Sequence, residues 1–389
     1  MRTQGYWSNA ILFILASLCL SVPTRAANVT VGCPGGTGGT YPSVNAALNA
    51  IGQTGPHTIT VTGTCQETVS LSNARSILIM SPAPGGATIV GLQDSDTFDI
   101  GLSQDITLQN LEIRGNAASS VGTGVSIFTN SQVNIFACTI HGNPDVGIAA
   151  DSGSQLAIRN TTIQNNSPGD AIDLTNNSTA DVVGTTIQNN GFGVFLQTHS
   201  SIVFRRQNFI LNNGDGAIEA VDLSSVRLQS SDPNLVTTVQ GHNSNGIIVA
   251  RQSDLVIGVG IIQNNGSACP TDPTCGGIYA LRNSTVRLFA GNITGNQGSG
   301  ISVEQGVDLV LTGAVVSHNT GDGVHVRRIS IGDFTIGGNT VTGNGGASVS
   351  CDTTSLLVGD VSAISNIACK QIEHPNGPPR PGNVKHQIP

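Results

Sequence analysis

A short phrase, made of an apolar residue, two variable residues and asparagine, recurs along most of the chain. It ends at Asn116, Asn143, Asn166, Asn190, Asn213, Asn265, Asn296, Asn319 and Asn344, with gaps of 27, 23, 24, 23, 52, 31, 23 and 25 residues. The gap of 52 holds a degenerate copy that ends at Asn243. Self-similarity at a period of about two dozen residues predicts a solenoid, in which each repeat is one structural turn.

Apolar and polar residues alternate between the asparagine phrases, which predicts β-strands. A first strand begins with Gly or Ala and has apolar residues one and three places later, as in Gly147-Ile148-Ala149-Ala150. Seven places after the Gly or Ala stands a serine, at Ser131, Ser154, Ser178, Ser200, Ser224, Ser253 and Ser284. A second alternating strand follows, such as Ile202 and Phe204, and the asparagine phrase supplies the third. Three short strands per turn predict an all-β, single-stranded parallel β-helix of about 10–12 coils, stacked about 4.8 Å apart.

This repeat resembles the right-handed parallel β-helix repeat proteins of the pectate-lyase-like superfamily. The resemblance covers about residues 57–370 and lies in the repeat itself. It implies a right-handed solenoid, a handedness that also agrees with the usual crossover of parallel strands. We expect the asparagine amides to stack from coil to coil and to satisfy backbone groups in the turns.

The chain divides into four segments by pattern. Residues 1–26 read as a secretory signal, with Arg2 before an apolar core at 11–22 and small residues for cleavage at Ala26. Residues 27–56 form an N-terminal cap, in which 41–51 has the apolar spacing of an amphipathic helix that covers the open end of the stack. Residues 57–373 form the β-helix, and the proline-rich segment 374–389 is expected to be a loose tail.

Composition agrees with export and argues against several classes of function. Only 10% of the 389 residues are charged, the net charge is −8, and 49 residues are glycine, which disfavours a helical bundle. An acidic chain is a poor general nucleic-acid binder. No stretch after the signal is apolar for long enough to span a membrane. We therefore expect a secreted protein, extracellular or periplasmic, that acts as a monomer.

Seven cysteines would remain after cleavage in an oxidising compartment. Cys269 and Cys275 bracket a short loop, and Cys33 and Cys65 flank the N-terminal segment, so each pair is predicted to form a disulfide. A third pair, Cys351–Cys369, falls at the same inward position of successive coils, where one coil spacing suits disulfide geometry. Cys138 is left as a small buried residue. A zinc site is disfavoured because no two CxxC motifs occur close together.

The strand alternation also predicts which residues point outward. In the first strand, the residue two places after the Gly or Ala falls at Ser126, Ala149, Asp173, Phe195, Glu219, Ile248, Tyr279, Ser302 and His325. The fifth place, just beyond the strand, falls at Thr129, Ser152, Asn176, Thr198, Asp222, Arg251, Arg282, Gln305 and Arg328. Carboxylates, arginines, a histidine and two aromatic rings on one face suit contact with a saccharide. Phe195, Asp222, Arg251, Tyr279, Arg282 and His325 are the candidate substrate-binding residues.

Asp173 and Glu219 are the candidate catalytic residues. They would lie two coils apart, about 9 to 10 Å at the backbone, which approaches the separation that an inverting glycosidase needs to hold a water molecule. The alternative interpretation is that both are solvated carboxylates with Phe195 between them. Asp222 and Arg251 could equally form a surface ion pair that contributes at most about 1 kcal/mol.

The resemblance also implies a possible lyase activity. Polysaccharide lyases of this fold typically abstract a proton next to a uronate carboxylate with Lys or Arg, often with Ca²⁺. The β-helix contains no lysine before Lys370, so only Arg251, Arg282, Arg327 and Arg328 could take that role. The Asp-Pro-His-Asp motif of alginate epimerases and the motif series of polygalacturonases are both missing. No clustered aspartates mark a calcium site, and we expect no cofactor. The grouping His318, Asp322 and His325 could hold a metal or be a solvated corner.

Three functions remain open. The first is a secreted β-helix protein that binds or organises an extracellular polysaccharide or cell-surface glycan without a recognisable catalytic motif. The second is a polysaccharide lyase or glycoside hydrolase. The third is a structural or adhesive surface protein whose sides present polar ladders.

Overall fold

The described part of this computed structural model comprises residues 26–269, 272 and 274–373. The predicted signal segment 1–25 and the tail 374–389 lie outside it, as do the loop positions 270, 271 and 273. Within these ranges the chain is a parallel β-helix with three strands per coil. No helix in the same ranges has the length and apolar character to span a bilayer.

Sheet 1 is formed by the first strand of each coil. Its 13 strands in the described residues are Val69–Ser72, Phe98–Gly101, Val125–Phe128, Ile148–Ala150, Asp170–Leu174, Phe192–Leu196, Ile218–Ala220, Ile247–Ala250, Gly276–Leu281, Ser299–Glu304, Val324–Arg327, Val349–Cys351 and Ile367–Ala368. The expectation of 10–12 coils was too low, since the structure has about 13 turns. The coil that begins at Val69 carries no asparagine phrase after its third strand, Ala87–Val90, so counting the phrase misses it.

Sheets 2 and 3 close the other two sides. The strand Thr54–Gln66 runs through both and joins them into one 26-stranded sheet. Sheet 2 otherwise contains Ala27–Gly32, Arg75–Met80, Gln104–Gln109, Gln132–Phe136, Gln155–Arg159, Thr179–Val183, Ser201–Arg205, Ser225–Gln229, Asp254–Ile257, Thr285–Leu288, Asp308–Leu311, Ile331–Phe334, Leu356–Gly359 and Ile372–Glu373. Sheet 3 otherwise contains Ala87–Val90, Leu111–Arg114, Thr139–His141, Thr162–Gln164, Thr186–Gln188, Asn208–Leu211, Thr237–Gln240, Gly260–Gln263, Gly291–Thr294, Val315–Ser317 and Thr340–Thr342.

The core is a set of apolar columns that run along the inside of the three sheets. In sheet 1, Ile148, Ile172, Val194 and Ile218 lie opposite one another in successive coils, and each is fully buried. Burying a branched side chain at the same place in every coil contributes about 1.5–3 kcal/mol per residue relative to leaving it exposed. The outward side of each strand is thereby fixed, because a shift by one residue would expose the whole column.

The helix spans Val44–Ile51 and is three residues shorter at its start than predicted. Ser43 is the N-cap, and its hydroxyl accepts the Ala46 N–H. Buried Glu67 also accepts the Val44 and Asn45 N–H groups at 2.7 and 2.9 Å. Tyr41 is outside the helix because it forms an isolated β-bridge with Val31.

The predicted asparagine ladder is present inside the turns. Each amide oxygen accepts the backbone N–H and in most coils also the side-chain N–H of the asparagine one coil earlier, from Asn143 through Asn166, Asn190 and Asn213. The ladder resumes through Asn265, Asn296, Asn319 and Asn344. The repeat wrongly placed two asparagines, Asn116 and Asn243, in this ladder. Asn116 accepts the Ala118 N–H in its own loop instead, and His242, rather than Asn243, occupies the ladder position between Asn213 and Asn265.

Cysteine pairs lie near both ends of the stack. Cys33 is joined to Cys65 and Cys351 to Cys369, with Cα atoms 5.1 and 4.6 Å apart. A third disulfide joins Cys269 to Cys275 across the inserted loop, with Cα atoms 6.1 Å apart. Cys138 is a buried free thiol, and burial raises its pKa to about 12, so it is unreactive in the folded protein.

Candidate functional site

The outward residues of sheet 1 form one continuous column. Asp173 lies opposite Phe195, and Phe195 lies opposite Glu219 in the next coil. The same column then passes through Ile248, Tyr279, Ser302 and His325 and ends at Ser350 and Ala368. The predicted order of outward residues is therefore confirmed. Asp173 and Glu219 are two coils apart, with an aromatic ring between them.

Asp222, Arg251 and Arg282 lie at the corner that follows sheet 1. All three have left-handed backbone conformations, with φ of 54°, 56° and 58°. The Arg251 guanidinium lies 3.2 Å from the Asp222 carboxylate, and both side chains are about half exposed. Solvent screening limits such a pair to about 1 kcal/mol or less. Arg282 is exposed and has no ion pair among the residues that the structure describes.

The acidic end of the column contains more carboxylates than the sequence pattern indicated. Burial, followed by the charges of Asp145, Glu219 and Asp215, raises the pKa of Asp170 to about 6. Burial, followed by the charge of Asp170, raises the pKa of Asp173 to about 6. One Asp173 oxygen is also buried without a hydrogen-bond partner in the described chain.

Burial likewise raises the pKa of Glu219, although Arg251 opposes that shift. The acidic end thus holds carboxyl groups whose pKa values are raised toward neutrality, which brings them closer to what a general acid needs. The neighbours Asp145, Asp170 and Asp215 were missed because they stand before the Gly or Ala that starts each first strand. An acidic residue recurring one or two places before that position is the sequence signal that would have found them.

The opposite end of the column holds a buried ionic network around Glu304. The Glu304 side chain is only 6% exposed, and it lies 3.6 and 3.3 Å from the guanidinium groups of Arg327 and Arg328. The Tyr279 hydroxyl donates a hydrogen bond to the same carboxylate. Burial and that carboxylate raise the pKa of Tyr279, so the phenol stays protonated. Tyr279 is thus held in place beside two cations.

His325 is held by two groups from neighbouring positions. Its Nδ1 lies 2.8 Å from the Asp322 carboxylate and 2.9 Å from the Ser350 hydroxyl, which also donates to Asp322. Burial would raise the pKa of Asp322, but hydrogen bonds from His325, Ser350 and the Ala347 N–H lower it. His318 is not within ligand distance of this pair, so the grouping considered from the sequence forms no metal site in the described ranges.

The one close group of metal-ligand types in those ranges is Cys33, Cys65 and Glu67. Its two cysteines form a disulfide, so they offer no thiolate. A cavity of about 580 Å³ opens beside it, lined in part by Pro42, Glu67 and Arg114. The Glu67 carboxylate already accepts two N–H groups of the helix start. None of the outward sheet 1 residues lines this cavity, so it is separate from that column.

A family profile described as right handed beta helix region matches residues 59–225 and 206–362. No curated protein sequence matches the chain significantly. Among solved structures, the A-module of the Azotobacter vinelandii mannuronan C-5 epimerase AlgE6 is similar at a TM-score of 0.47 and 14% identity, over 85% of this chain and 90% of that one. Pectate lyase Pel9A is similar at a TM-score of 0.33 and 14% identity, over 90% of this chain and 79% of that one. An endo-xylogalacturonan hydrolase from Aspergillus tubingensis is similar at 0.33 and 12%, over 89% and 99% of the two chains.

Proposed function

The chain belongs to the right-handed β-helix family, and from that premise we propose that it binds an extracellular polysaccharide along the outward column of sheet 1. The observation that carries the proposal is the in-register series Asp173, Phe195, Glu219 and Tyr279, which places rings and carboxyl groups on one face at the spacing of the coils. A long flat face with repeated polar groups suits an extended ligand with repeated hydroxyl groups.

Binding should depend on the aromatic ring in the centre of the column. We expect Phe195→Ala to weaken binding to the preferred polysaccharide of a panel by about 3- to 10-fold, because a stacked ring contributes roughly 0.5–1.5 kcal/mol. The matched control is Phe136→Ala, whose 38% exposed ring lies on sheet 2. Calorimetric titration measures both. Equal losses in the two variants, or no binding to any member of the panel, would contradict the proposal.

Export is part of the same proposal. Three disulfides in the described residues support it, because cytosolic thiols are normally kept reduced. The predicted signal ends at Ala26. N-terminal sequencing of protein recovered from outside the cytoplasm should start at Ala27, and an intact Met1 would contradict cleavage.

Glycoside hydrolysis is the second candidate function, and the raised pKa values at Asp173 and Glu219 favour it. Asp173 would donate a proton to the leaving oxygen while Glu219 activates a water molecule on the opposite side of the bond, as two carboxyl groups about 9 to 10 Å apart at the backbone allow. Since the acid must be protonated, the rate should fall as the pH rises above about 6.

New reducing ends report this reaction, whereas ultraviolet-absorbing unsaturated products would indicate a lyase. We expect Asp173→Asn and Glu219→Gln each to lower the rate by about 100-fold or more. Asp181→Asn is the control, because Asp181 pairs with Arg159 and Arg205 on sheet 2. Hydrolysis that survives loss of both Asp173 and Glu219 would exclude this assignment.

A further inference from the structure

The C-terminal half of the column carries a histidine that is oriented as a proton acceptor. The Asp322 carboxylate is fixed by the Ala347 N–H at 2.7 Å and lies 2.8 Å from His325 Nδ1. A carboxylate at that distance places the ring proton on Nδ1 and leaves the lone pair on Nε2. His325 therefore has the base-and-orienter arrangement that activates a nucleophile.

Ser302 lies beside this base in the preceding coil. The two residues are paired in register and both point outward, so their backbones are about 4.8 Å apart. Ser302 is 1% exposed, and neither its hydroxyl oxygen nor His325 Nε2 has a hydrogen-bond partner in the described residues. A buried polar atom without a partner costs about 1–3 kcal/mol, so two of them on paired residues of neighbouring coils indicate atoms reserved for another group.

Two arginine side chains lie near Ser302 and His325. Arg327, two residues after His325, has a buried Nε without a partner in that part of the chain. The Arg327 Nη2 and the Arg328 guanidinium face Glu304, which also accepts the Tyr279 hydroxyl. A fixed cation beside a nucleophile can stabilise an oxyanion as it forms.

We propose that Ser302, His325 and Asp322 form an acyl-ester hydrolase centre that removes small acyl groups from saccharide hydroxyls. The saccharide part of this assignment rests on the proposed function of the sheet 1 face. Tyr279 and His325 are the column neighbours of Ser302 on either side. Ser302 is five coils from Asp173, and His325 is six.

The reaction proceeds in two balanced steps. Ser302 Oγ attacks the ester carbonyl carbon while His325 Nε2 takes the hydroxyl proton, and the carbonyl oxygen becomes an oxyanion near Arg327. The bond to the sugar oxygen then breaks, His325 returns the proton to that oxygen, and the acyl group remains on Ser302. Water next attacks the acyl-serine with His325 as the base, releasing a carboxylic acid and restoring the hydroxyl.

The first test is covalent labelling of the unaltered protein with a fluorophosphonate probe, followed by peptide mass spectrometry. We expect the label on Ser302, and this result needs no variant that could misfold. Label on Ser350 or on any other serine, or no label, would overturn the proposal.

The second test is release of acetate from p-nitrophenyl acetate and from acetylated xylan. Ser302→Ala and His325→Ala should each reduce release by at least 100-fold, while Ser225→Ala on sheet 2 should leave it unchanged. Unfolding temperatures confirm that each variant is folded. Activity that persists in Ser302→Ala would overturn the proposal. Cleavage of the small ester without any polysaccharide binding would contradict only the proposed function, whereas binding without ester cleavage would contradict only this centre.

Discussion

At the scale of single residues, His242 occupies a position of the asparagine ladder that asparagine fills in the neighbouring coils, and this gives the ladder a titratable group. The imidazole is fully buried; its Nδ1 accepts the Asn213 N–H at 3.2 Å and its Nε2 donates to the Ile210 carbonyl at 3.0 Å. A second proton would have to bind Nδ1, which already accepts the Asn213 N–H, so that hydrogen bond would be lost. Burial lowers the pKa of His242 to about 4, although the hydrogen bonds to the backbone oppose the shift.

His242 should therefore make stability fall in acid. Its folded pKa of about 4 is below the ordinary value of 6.5, so the unfolded chain binds more protons and stability is lost as the pH falls from about 6.5 to 4. The loss from this group is roughly 3 kcal/mol at most. We expect His242→Asn, which restores the ladder residue, to reduce that dependence, measured by denaturant unfolding at several pH values. His199→Asn, at an exposed corner, should leave it in place; equal pH profiles for both variants would contradict the assignment.

At the scale of structural elements, the turns are held by side chains that act from one coil to the next. Asn190 accepts the backbone and side-chain N–H groups of Asn166 at 3.0 and 2.9 Å and donates to Asn213. Serines form a parallel ladder at the sheet 1 corner, where Ser154 accepts the Ser131 N–H and Ser178 accepts the Ser154 N–H. Because these backbone groups are buried, the periodic Asn and Ser residues are explained by hydrogen bonding without any ligand.

Asn190→Ala tests the ladder directly. It leaves the buried Asn166 N–H groups without their acceptor, so we expect the free energy of unfolding to fall by about 2–4 kcal/mol. Chemical denaturation gives the value, and Asn292→Ala, at an exposed position in a sheet 3 strand, should change it by about 0.5 kcal/mol or less. Similar effects of the two substitutions would mean that the ladder contributes little.

At the scale of the whole molecule, stability should vary along the stack. An inner coil packs against two neighbours, whereas the first and last coils pack against one, and local opening is easiest where contacts are fewest. The disulfides Cys33–Cys65 and Cys351–Cys369 join chain segments at these two ends. The covalent links thus lie where the stack itself provides the least support.

Hydrogen exchange followed by mass spectrometry should reveal this gradient. We expect slow exchange in inner strands such as Thr186–Gln188 and faster exchange in Val349–Cys351 and Ile367–Ala368. Mild reduction should increase exchange at the ends and leave the inner strands unchanged. Uniform protection along the chain, or reduction that opens the centre first, would contradict this description.

The candidate site was predictable in part. Which residues share the outward column followed from strand alternation and the repeat, so Asp173, Phe195, Glu219, Tyr279 and His325 were found without coordinates. Most of the partners that give these residues their chemistry were not found. Asp170 and Glu304 lie at the ends of their strands, where the alternation no longer specifies direction. Asp322 was named beside His325, but only as a possible metal ligand or a solvated corner.

The sequence alone determined the repeat, the three-strand coil and the inward and outward sides, because each follows from a local periodicity that backbone hydrogen bonding and burial enforce in every turn. Only the tertiary structure decided that the ladder passes through His242, that about 13 turns stack, and that Asp322 and Ser350 both reach His325. Those facts depend on how a chain of unequal turns aligns in register. Insertions such as the loop closed by Cys269–Cys275 lengthen the sequence distance between paired residues, as between Ile247 and Ile278, without changing the pairing of the strands.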